Sequence, residues 1–346
     1  MRCPAALLGP GFALALATAA APACSSVDDA PPLPPLPSGQ LPVPKAPENA
    51  VGGFAIQVPQ ITLKPGQEKK PCYIFPLELT GPSRFVTAGV LTTQPGLHHG
   101  NITTRLKTGD GIRKCESDGD DSLAGEIASG GSVLFGSSTQ VSDTEWQRFP
   151  DGMAYRIPED QEIVARMHYL NASPNSITLA PRYEWFTIAE SDLKQRVAPF
   201  AWTYLQFHIP PKSQLTVSGD CPLEKPMIVV QTLPHMHALG TRFTLSLLGG
   251  PRDGALLLDN DTYGKRGETD IRLYDPGVDL TQGGRGRGAR FSCSWNNTFD
   301  KTIEYGTGDN EMCILFGYAY PPENTYSAAA SEGIDCITIK PGTPAP

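Results

Sequence analysis

The sequence predicts an all-β protein, and three observations support this. Glycine and proline are abundant, with 35 and 34 residues in a chain of 346, and both residue types separate short strands with turns. Apolar residues occur in short segments bounded by Gly or Pro, such as residues 54–58, 72–75 and 84–90. Long stretches with the 3.6-residue period of an amphipathic helix are hard to find.

The domain organisation follows from length and composition. A chain of this length suggests two domains of ordinary size. A polar, charged segment at residues 189–199 separates two similar strand-rich halves. We therefore expect a first domain over residues 49–190 and a second over residues 191–340.

The N-terminal residues 1–24 have the features of an export signal. Arg2 supplies a positive start, and the apolar stretch of residues 11–23 is too short to span a bilayer. Small residues before Cys24 suit cleavage, and Cys24 also stands where a bacterial lipoprotein carries its lipid. Residues 25–48 are a proline-rich linker that favours extended conformations. We expect an exported protein, either a periplasmic or cell-envelope lipoprotein tethered only through its N-terminus, or a secreted protein.

Charge and cysteine content narrow the class of partner and site. The net charge of −8 argues against nucleic acid and anionic membranes as main partners. An even set of cysteines remains after the signal, and in an exported protein this predicts three disulfides, with many pairings open. None of them forms a CxxC pair, so a thiolate zinc site is not expected. The six cysteines are Cys72, Cys115, Cys221, Cys293, Cys313 and Cys336.

His235 and His237 form a candidate metal-binding pair in a segment that reads as a β-strand. Side chains at i and i+2 of a strand share a face, roughly 6.6–7 Å apart. Two imidazoles at that spacing can converge on one ion bound about 2 Å from each nitrogen. The alternative is a pair of inward-facing core histidines.

Three histidines of the first half form a second candidate set. His98 and His99 are adjacent, and neighbours in a regular strand point to opposite faces. They can bind one ion only if the backbone bends, which Pro95 and Gly96 favour, or if the two rings use different nitrogens. His168, in another predicted strand, can supply a third imidazole, a set that suits copper or zinc. Taken alone, His168 also fits a packed core position.

The pair in the second half needs a third ligand. His208 precedes two prolines and is interpreted as a structural residue at a strand end. Met312 offers a thioether, and a disulfide at the following Cys313 would fix its backbone. A set of two histidines and one methionine favours Cu(I) over zinc because the sulfur ligand is soft.

Taken in order, these motifs resemble the copper- and ascorbate-dependent monooxygenases, the family of peptidylglycine α-hydroxylating monooxygenase and dopamine β-monooxygenase. The resemblance covers about residues 50–340. The motifs are Leu97-His98-His99, Met167-His168-Tyr169, His235-Met236-His237 and Glu311-Met312-Cys313.

The resemblance implies two tandem antiparallel β-sandwich domains of jelly-roll type, with two copper ions facing each other across an open cleft. His98, His99 and His168 would hold the electron-transfer copper. His235, His237 and Met312 would hold the oxygen-activating copper. The implied disulfides are Cys72–Cys115, Cys221–Cys336 and Cys293–Cys313.

The resemblance also implies the reaction, while three departures concern the substrate. The family hydroxylates C–H bonds with O₂ and an external reductant such as ascorbate. Leu233, Ile314 and Phe316 replace the Arg, Asn and Tyr that anchor the substrate carboxylate in the peptide-amidating member. Apolar side chains hold a carboxylate poorly, so we expect a small apolar or neutral organic substrate. Two alternatives remain: a non-catalytic periplasmic copper-binding protein, and a cell-surface β-sandwich that has lost its metals.

Overall fold

The computed structural model describes residues 44–116, 131–138, 141–261, 271–306 and 309–338. The predicted export signal with Cys24, and residues 25–43 of the predicted linker, lie outside these ranges. Within them the regular structure is β-strand, apart from two short 3-10 turns at Glu190–Asp192 and Pro322–Asn324. The all-β prediction is therefore confirmed. Among the described residues, no helix has the length and apolar character needed to cross a membrane.

The strands of the first half alternate between buried and exposed residues or are buried along their length, as expected for sheets that cover a core. They are β1 (Ala50–Gln57), β2 (Ile61–Leu63), β3 (Glu68–Lys69), β4 (Cys72–Pro76), β5 (Phe85–Thr93), β6 (Leu97–Leu106), β7 (Arg113–Lys114), β8 (Val133–Gly136), β9 (Asp143–Arg148), β10 (Met153–Arg156), β11 (Gln161–Leu170), β12 (Ile177–Leu179), β13 (Arg182–Ile188) and β14 (Gln195–Arg196).

Two sheets enclose the core of the first half. One has the order β1-β13-β5-β10-β14, with β9 also paired to β5, and the other has the order β7-β4-β11-β6-β8, with β3 on β11. Phe54 and Trp185 of the first sheet stack at 4.7 Å and pack with Ile102 and Met167 of the second. Strand β14 pairs with β10, so pairing within the first half continues a few residues beyond position 190.

The second half repeats this arrangement with its own strands. They are β15 (Ala198–Tyr204), β16 (His208–Ile209), β17 (Gln214–Leu223), β18 (Ile228–His235), β19 (Gly240–Leu248), β20 (Leu256–Asn260), β21 (Arg272–Asp279), β22 (Arg287–Asn296), β23 (Ile303–Glu304), β24 (Ile314–Tyr320), β25 (Ala328–Ser331) and β26 (Ile334–Thr338).

The second core also lies between two sheets. The first has the order β21-β18-β24-β15-β25-β26, and the second has the order β17-β22-β19-β20. Trp202 and Leu315 of one sheet pack in the same cluster as Phe243, Phe291 and Trp295 of the other. Burial of such large side chains stabilises each half mainly through the hydrophobic effect.

Tyr318 joins the two halves. It belongs to β24 of the second half, yet its ring is buried in the core of the first. Its ring centroid lies 4.7 Å from that of Phe149 and 5.5 Å from that of Tyr155. Its hydroxyl donates a hydrogen bond of 2.7 Å to the carbonyl of Val133. The two halves are therefore packed directly against each other.

The three expected disulfides are present. Cys72–Cys115 joins β4 to the segment after β7, and Cys221–Cys336 joins β17 to β26. Cys293–Cys313 joins β22 to the residue just before β24. Disulfides of this kind persist in oxidising compartments, in agreement with an exported protein.

Candidate metal centre

A β-bulge brings His98, His99 and His168 together. In the ladder between β6 and β11, His168 pairs with His99, but the next residue, Tyr169, pairs with Leu97. His98 is therefore the extra residue of a bulge, which turns its side chain away from the direction a regular strand would give it. The bulge supplies the bend that the adjacent histidines require.

The nitrogen atoms of this first set suit one metal ion. The Nδ1 atoms of His98 and His99 lie 3.1 Å apart. Two ligands of one tetrahedral ion, each about 2.0–2.1 Å from it, are separated by about 3.3 Å. One ring nitrogen from each of the three histidines lies within 4.8 Å of those of the other two. The Nε2 atom of His168 lies 2.6 Å from Glu68 Oε1, so a metal bound by this ring would be held through Nδ1.

His235 and His237 lie on one face of the chain at the end of β18. The intervening Met236 points the other way and is buried in the core of the second half. The ring centroids of the two histidines are 5.3 Å apart. The shared face predicted from the two-residue spacing is thus present, and the side chains face the first set rather than the apolar core.

Asn310 fixes the orientation of the His237 ring. The Nδ1 atom of His237 lies 2.7 Å from the carbonyl oxygen of Asn310 and donates to it. A metal bound by this ring would therefore be held through Nε2. A histidine ligand commonly donates its other ring N–H to a carbonyl or a carboxylate, and the contact selects the tautomer.

The two histidine sets form one cluster. The ring centroid of His99 lies 5.3 Å from that of His235 and 6.2 Å from that of His237. The expected open cleft between two separated sites is therefore not what the structure shows. The reason is the direct packing of the halves: a Cβ on Gly136 would lie only 2.7 Å from Leu233 of the second half.

Met312 lies in an apolar cluster beside the histidines. Leu233 pairs with Phe316 and His235 pairs with Ile314 across β18 and β24, so these four side chains share one face of the sheet. Phe316 lies 6.1 Å from His235 between ring centroids. Leu233, Ile314 and Phe316 form a nearly buried cluster, and the half-buried Met312 packs against it. The three expected substrate residues and the expected thioether ligand are thus neighbours.

A cavity of about 170 Å³ with charged residues in its wall also reaches the histidines. His98, His168 and His237 line it, so it is bounded by both halves of the chain. Lys70, which is ion-paired with Glu68 at 3.2 Å, and the exposed Asp309 contribute charges to its wall. The cluster is therefore bordered by an apolar group of side chains and by a cavity that has charged residues in its wall.

No family model and no curated protein matches this chain. Among solved structures, the major capsid protein P2 from bacteriophage PM2 is 10% identical, with a TM-score of 0.30, and the match covers 79% of this chain and 99% of that one. The infectious bursal disease virus VP2 subviral particle is 11% identical, with a TM-score of 0.20 and coverages of 83% and 76%. The PBSX exported protein XepA is 8% identical, with a TM-score of 0.20 and coverages of 81% and 98%. Similarities this low carry no functional inference.

Sequence reasoning missed the carboxylate of Glu311. This side chain is only 1% exposed, and burial raises its pKa to about 7 against the opposing effect of the N–H groups that surround it. Its position directly before Met312, at the start of an apolar strand, was the available signal. Glu68, the partner of His168, was missed because it lies 100 residues away in sequence.

His208 lies at the surface of the second half. Its Nδ1 is 3.1 Å from Glu304 Oε1, and both side chains are more than half exposed. The residue takes part in the short β16–β23 ladder, in which it pairs with Glu304. Its position fits the structural role expected for it.

Proposed function

We propose that this protein is a copper-dependent monooxygenase. It would hydroxylate a C–H bond of a small apolar or neutral organic molecule, using O₂ and an external one-electron reductant such as ascorbate. The observation that supports this most directly is the meeting of five imidazoles from both halves of the chain beside an apolar cluster that contains a thioether.

Two ligand sets would hold two copper ions. His98, His99 and His168 form the first set, and their three imidazoles suit copper. The second set combines His235 and His237 with the sulfur of Met312, which favours Cu(I) over zinc. Bound copper would supply one-electron redox chemistry and the activation of O₂ that a C–H hydroxylation needs.

The protein's own side chains would set the geometry of the reaction. The Glu68 side chain and the backbone carbonyl of Asn310 would select the ring nitrogens through which His168 and His237 hold a metal. His99 lies against the rings of His235 and His237, so it would hold the two ligand sets close to each other.

The surroundings of the cluster would separate the two small molecules. Leu233, Ile314 and Phe316 would orient an apolar substrate next to His235 and exclude water from it. A hydrophilic reductant would approach through the cavity, where Lys70 and Asp309 offer charged groups. The reductant and the substrate would thus reach the histidines from chemically different sides.

The test is reconstitution with copper followed by a screen for oxygen incorporation. We expect two copper ions per chain by metal analysis, and O₂ uptake with ascorbate that depends on an added organic substrate. Mass spectrometry should then detect products that have gained one oxygen atom. A protein that retains no copper contradicts the proposal and revives the β-sandwich that has lost its metals.

A non-catalytic periplasmic copper-binding protein is the second candidate. The observation that favours it is the burial of Leu233, Ile314 and Phe316, each at most 8% exposed, which leaves little open surface for a substrate. Two bound copper ions without substrate-dependent O₂ uptake would support this function. In either case we propose a location in the cell envelope, either periplasmic or lipid-anchored through Cys24, with secretion as the alternative. The mass of the N-terminal peptide of the mature protein shows whether Cys24 carries a lipid.

A further inference from the structure

Glu311 collects hydrogen bonds from four groups around the second ligand set. Its Oε2 accepts the backbone N–H of His237 at 2.7 Å and the indole N–H of Trp295 at 3.0 Å. Its Oε1 accepts the backbone N–H of Leu239 at 2.7 Å. The backbone N–H of Met312 also donates to this carboxylate. We infer that Glu311 is a positioning residue that holds His237 and Met312 in one fixed arrangement, an inference that rests on the proposed function.

The end of strand β18 explains why a carboxylate is needed here. The ladder with β24 stops at His235, so the N–H groups of His237 and Leu239 have no strand partner. Buried backbone N–H groups need an acceptor, and leaving one unsatisfied is costly. A carboxylate has two oxygens with about four lone-pair sites and no donor, so one side chain can satisfy all four groups.

The main chain around Glu311 is itself held in place. Its N–H donates to the carbonyl of Glu304, and its own carbonyl accepts the N–H of Gly306, both at 3.0 Å. The preceding carbonyl, that of Asn310, accepts the ring N–H of His237. His237 is therefore held at two points, its backbone by the side chain of Glu311 and its ring by the carbonyl next to Glu311.

The Cys293–Cys313 disulfide holds the segment that contains Glu311 and Met312 at its other end. Cys313 follows Met312 directly, and Cys293 lies two residues before Trp295 on β22. The carboxylate and the disulfide thus connect the Met312 segment to β22 on both sides of the thioether. The Glu311 carboxylate also reaches across to residues 237–239, where it accepts the backbone N–H groups of His237 and Leu239.

Glu162 provides a matched control. It is equally buried, at 1% exposure, but its partners are the guanidinium groups of Arg105 and Arg113, both at 2.7–2.8 Å. It lies on β11 of the first half, so it does not touch the second ligand set. Loss of either carboxylate should lower stability, but only the loss of Glu311 should change the ligands of a metal.

The experiment compares wild-type protein with Glu311→Gln and Glu162→Gln after copper loading and reduction by ascorbate. X-ray absorption at the copper edge measures sulfur scattering from Met312, and equilibrium dialysis measures copper affinity. We expect wild type and Glu162→Gln to show copper–sulfur scattering. Glu311→Gln should lose this scattering and bind one of its two coppers about 10- to 100-fold more weakly, because the amide N–H₂ would face N–H donors.

The outcomes separate the inference from the function on which it rests. Wild-type protein without copper–sulfur scattering would show that Met312 is not a ligand, and both proposals would fall. Wild-type scattering that persists unchanged in a folded Glu311→Gln variant, with normal copper affinity, would overturn the inference alone. If Glu311→Gln does not fold, Glu311→Asp replaces it as the test, because this variant keeps the negative charge on a shorter side chain. It should weaken both the copper–sulfur scattering and the copper affinity. If neither quantity changes in Glu311→Asp, the inference is also overturned.

Discussion

The two ligand sets are held by different means. His98, His99 and His168 lie within a sheet, where the β6–β11 ladder fixes the backbone and the bulge fixes the direction of the side chains. His237 and Met312 lie beyond the end of a ladder, where a buried carboxylate and a disulfide replace it. The first set depends on strand register, which many residues determine together, whereas the second depends on a few side-chain contacts. Single substitutions should therefore disturb the second set more than the first.

Met312→Ile should have the largest effect because it removes a proposed ligand without changing the side-chain volume greatly. We expect turnover to be abolished while about half of the copper remains, held by the first set. Metal analysis and ascorbate-dependent O₂ uptake measure these two quantities. A variant that hydroxylates at a normal rate would show that the role given to Met312 is wrong.

Glu162→Gln tests whether the first set depends on the strand that carries His168, since both residues lie on β11. The substitution leaves Arg105 and Arg113 without their carboxylate and should lower the free energy of unfolding by about 2 kcal/mol. Copper content at neutral pH should not change. Urea denaturation measures the free energy of unfolding, and metal analysis measures the copper content. A loss of copper from folded protein would show that a single substitution can disturb the first ligand set.

The same variant should change the pH dependence of stability. Burial alone would raise the pKa of Glu162, but hydrogen bonds from Arg113, Arg105 and Thr108 lower it below its ordinary value of 4.5. The ionised form therefore stabilises the folded protein above about pH 4.5, and this contribution is lost as the pH falls through the lowered pKa. The difference in stability between wild type and Glu162→Gln should thus shrink on acidification, whereas an unchanged difference at low pH would contradict this account.

Glu68→Gln should have a smaller effect, confined to the first set. Glu68 is half exposed, so water can replace part of its contact with His168. We expect copper affinity at the first set to fall about tenfold, with the second set unaffected. Competition with a chelator measures the copper affinity of each set. An equal loss of affinity at both sets would mean that the two sets do not respond independently.

His208→Ala should have no measurable effect. Its contact with Glu304 is at the surface, where such pairs contribute little. Copper stoichiometry and the urea midpoint should match those of wild type. A loss of bound copper would require a role for His208 that its position in the β16–β23 ladder does not suggest.

Part of this architecture follows from local sequence. Turn residues between short apolar segments predict the strands, and the two-residue spacing predicts that His235 and His237 share a face. Neither prediction needs knowledge of distant residues, because both depend on the geometry of a single strand.

Other features depend on distant partners and could not be predicted in this way. The bulge at His98 exists only relative to β11, and the contact between the two histidine sets depends on how the halves pack. Spacing alone left the disulfide pairings open, so the pairs came from the resemblance. The position of Glu311 directly before Met312 does not show its role, because its donors at His237, Leu239 and Trp295 come from separate segments.

Tyr318 has a consequence for how this chain can be divided. Its ring completes a core that belongs to the other half, and its hydroxyl satisfies a carbonyl there. If the chain were cut between the halves, the second half would expose the ring of Tyr318, and the core of the first half would contain a cavity. The two halves are therefore not interchangeable modules, and a chimera that joins the second half to a foreign partner would have to supply a matching recess for this one ring.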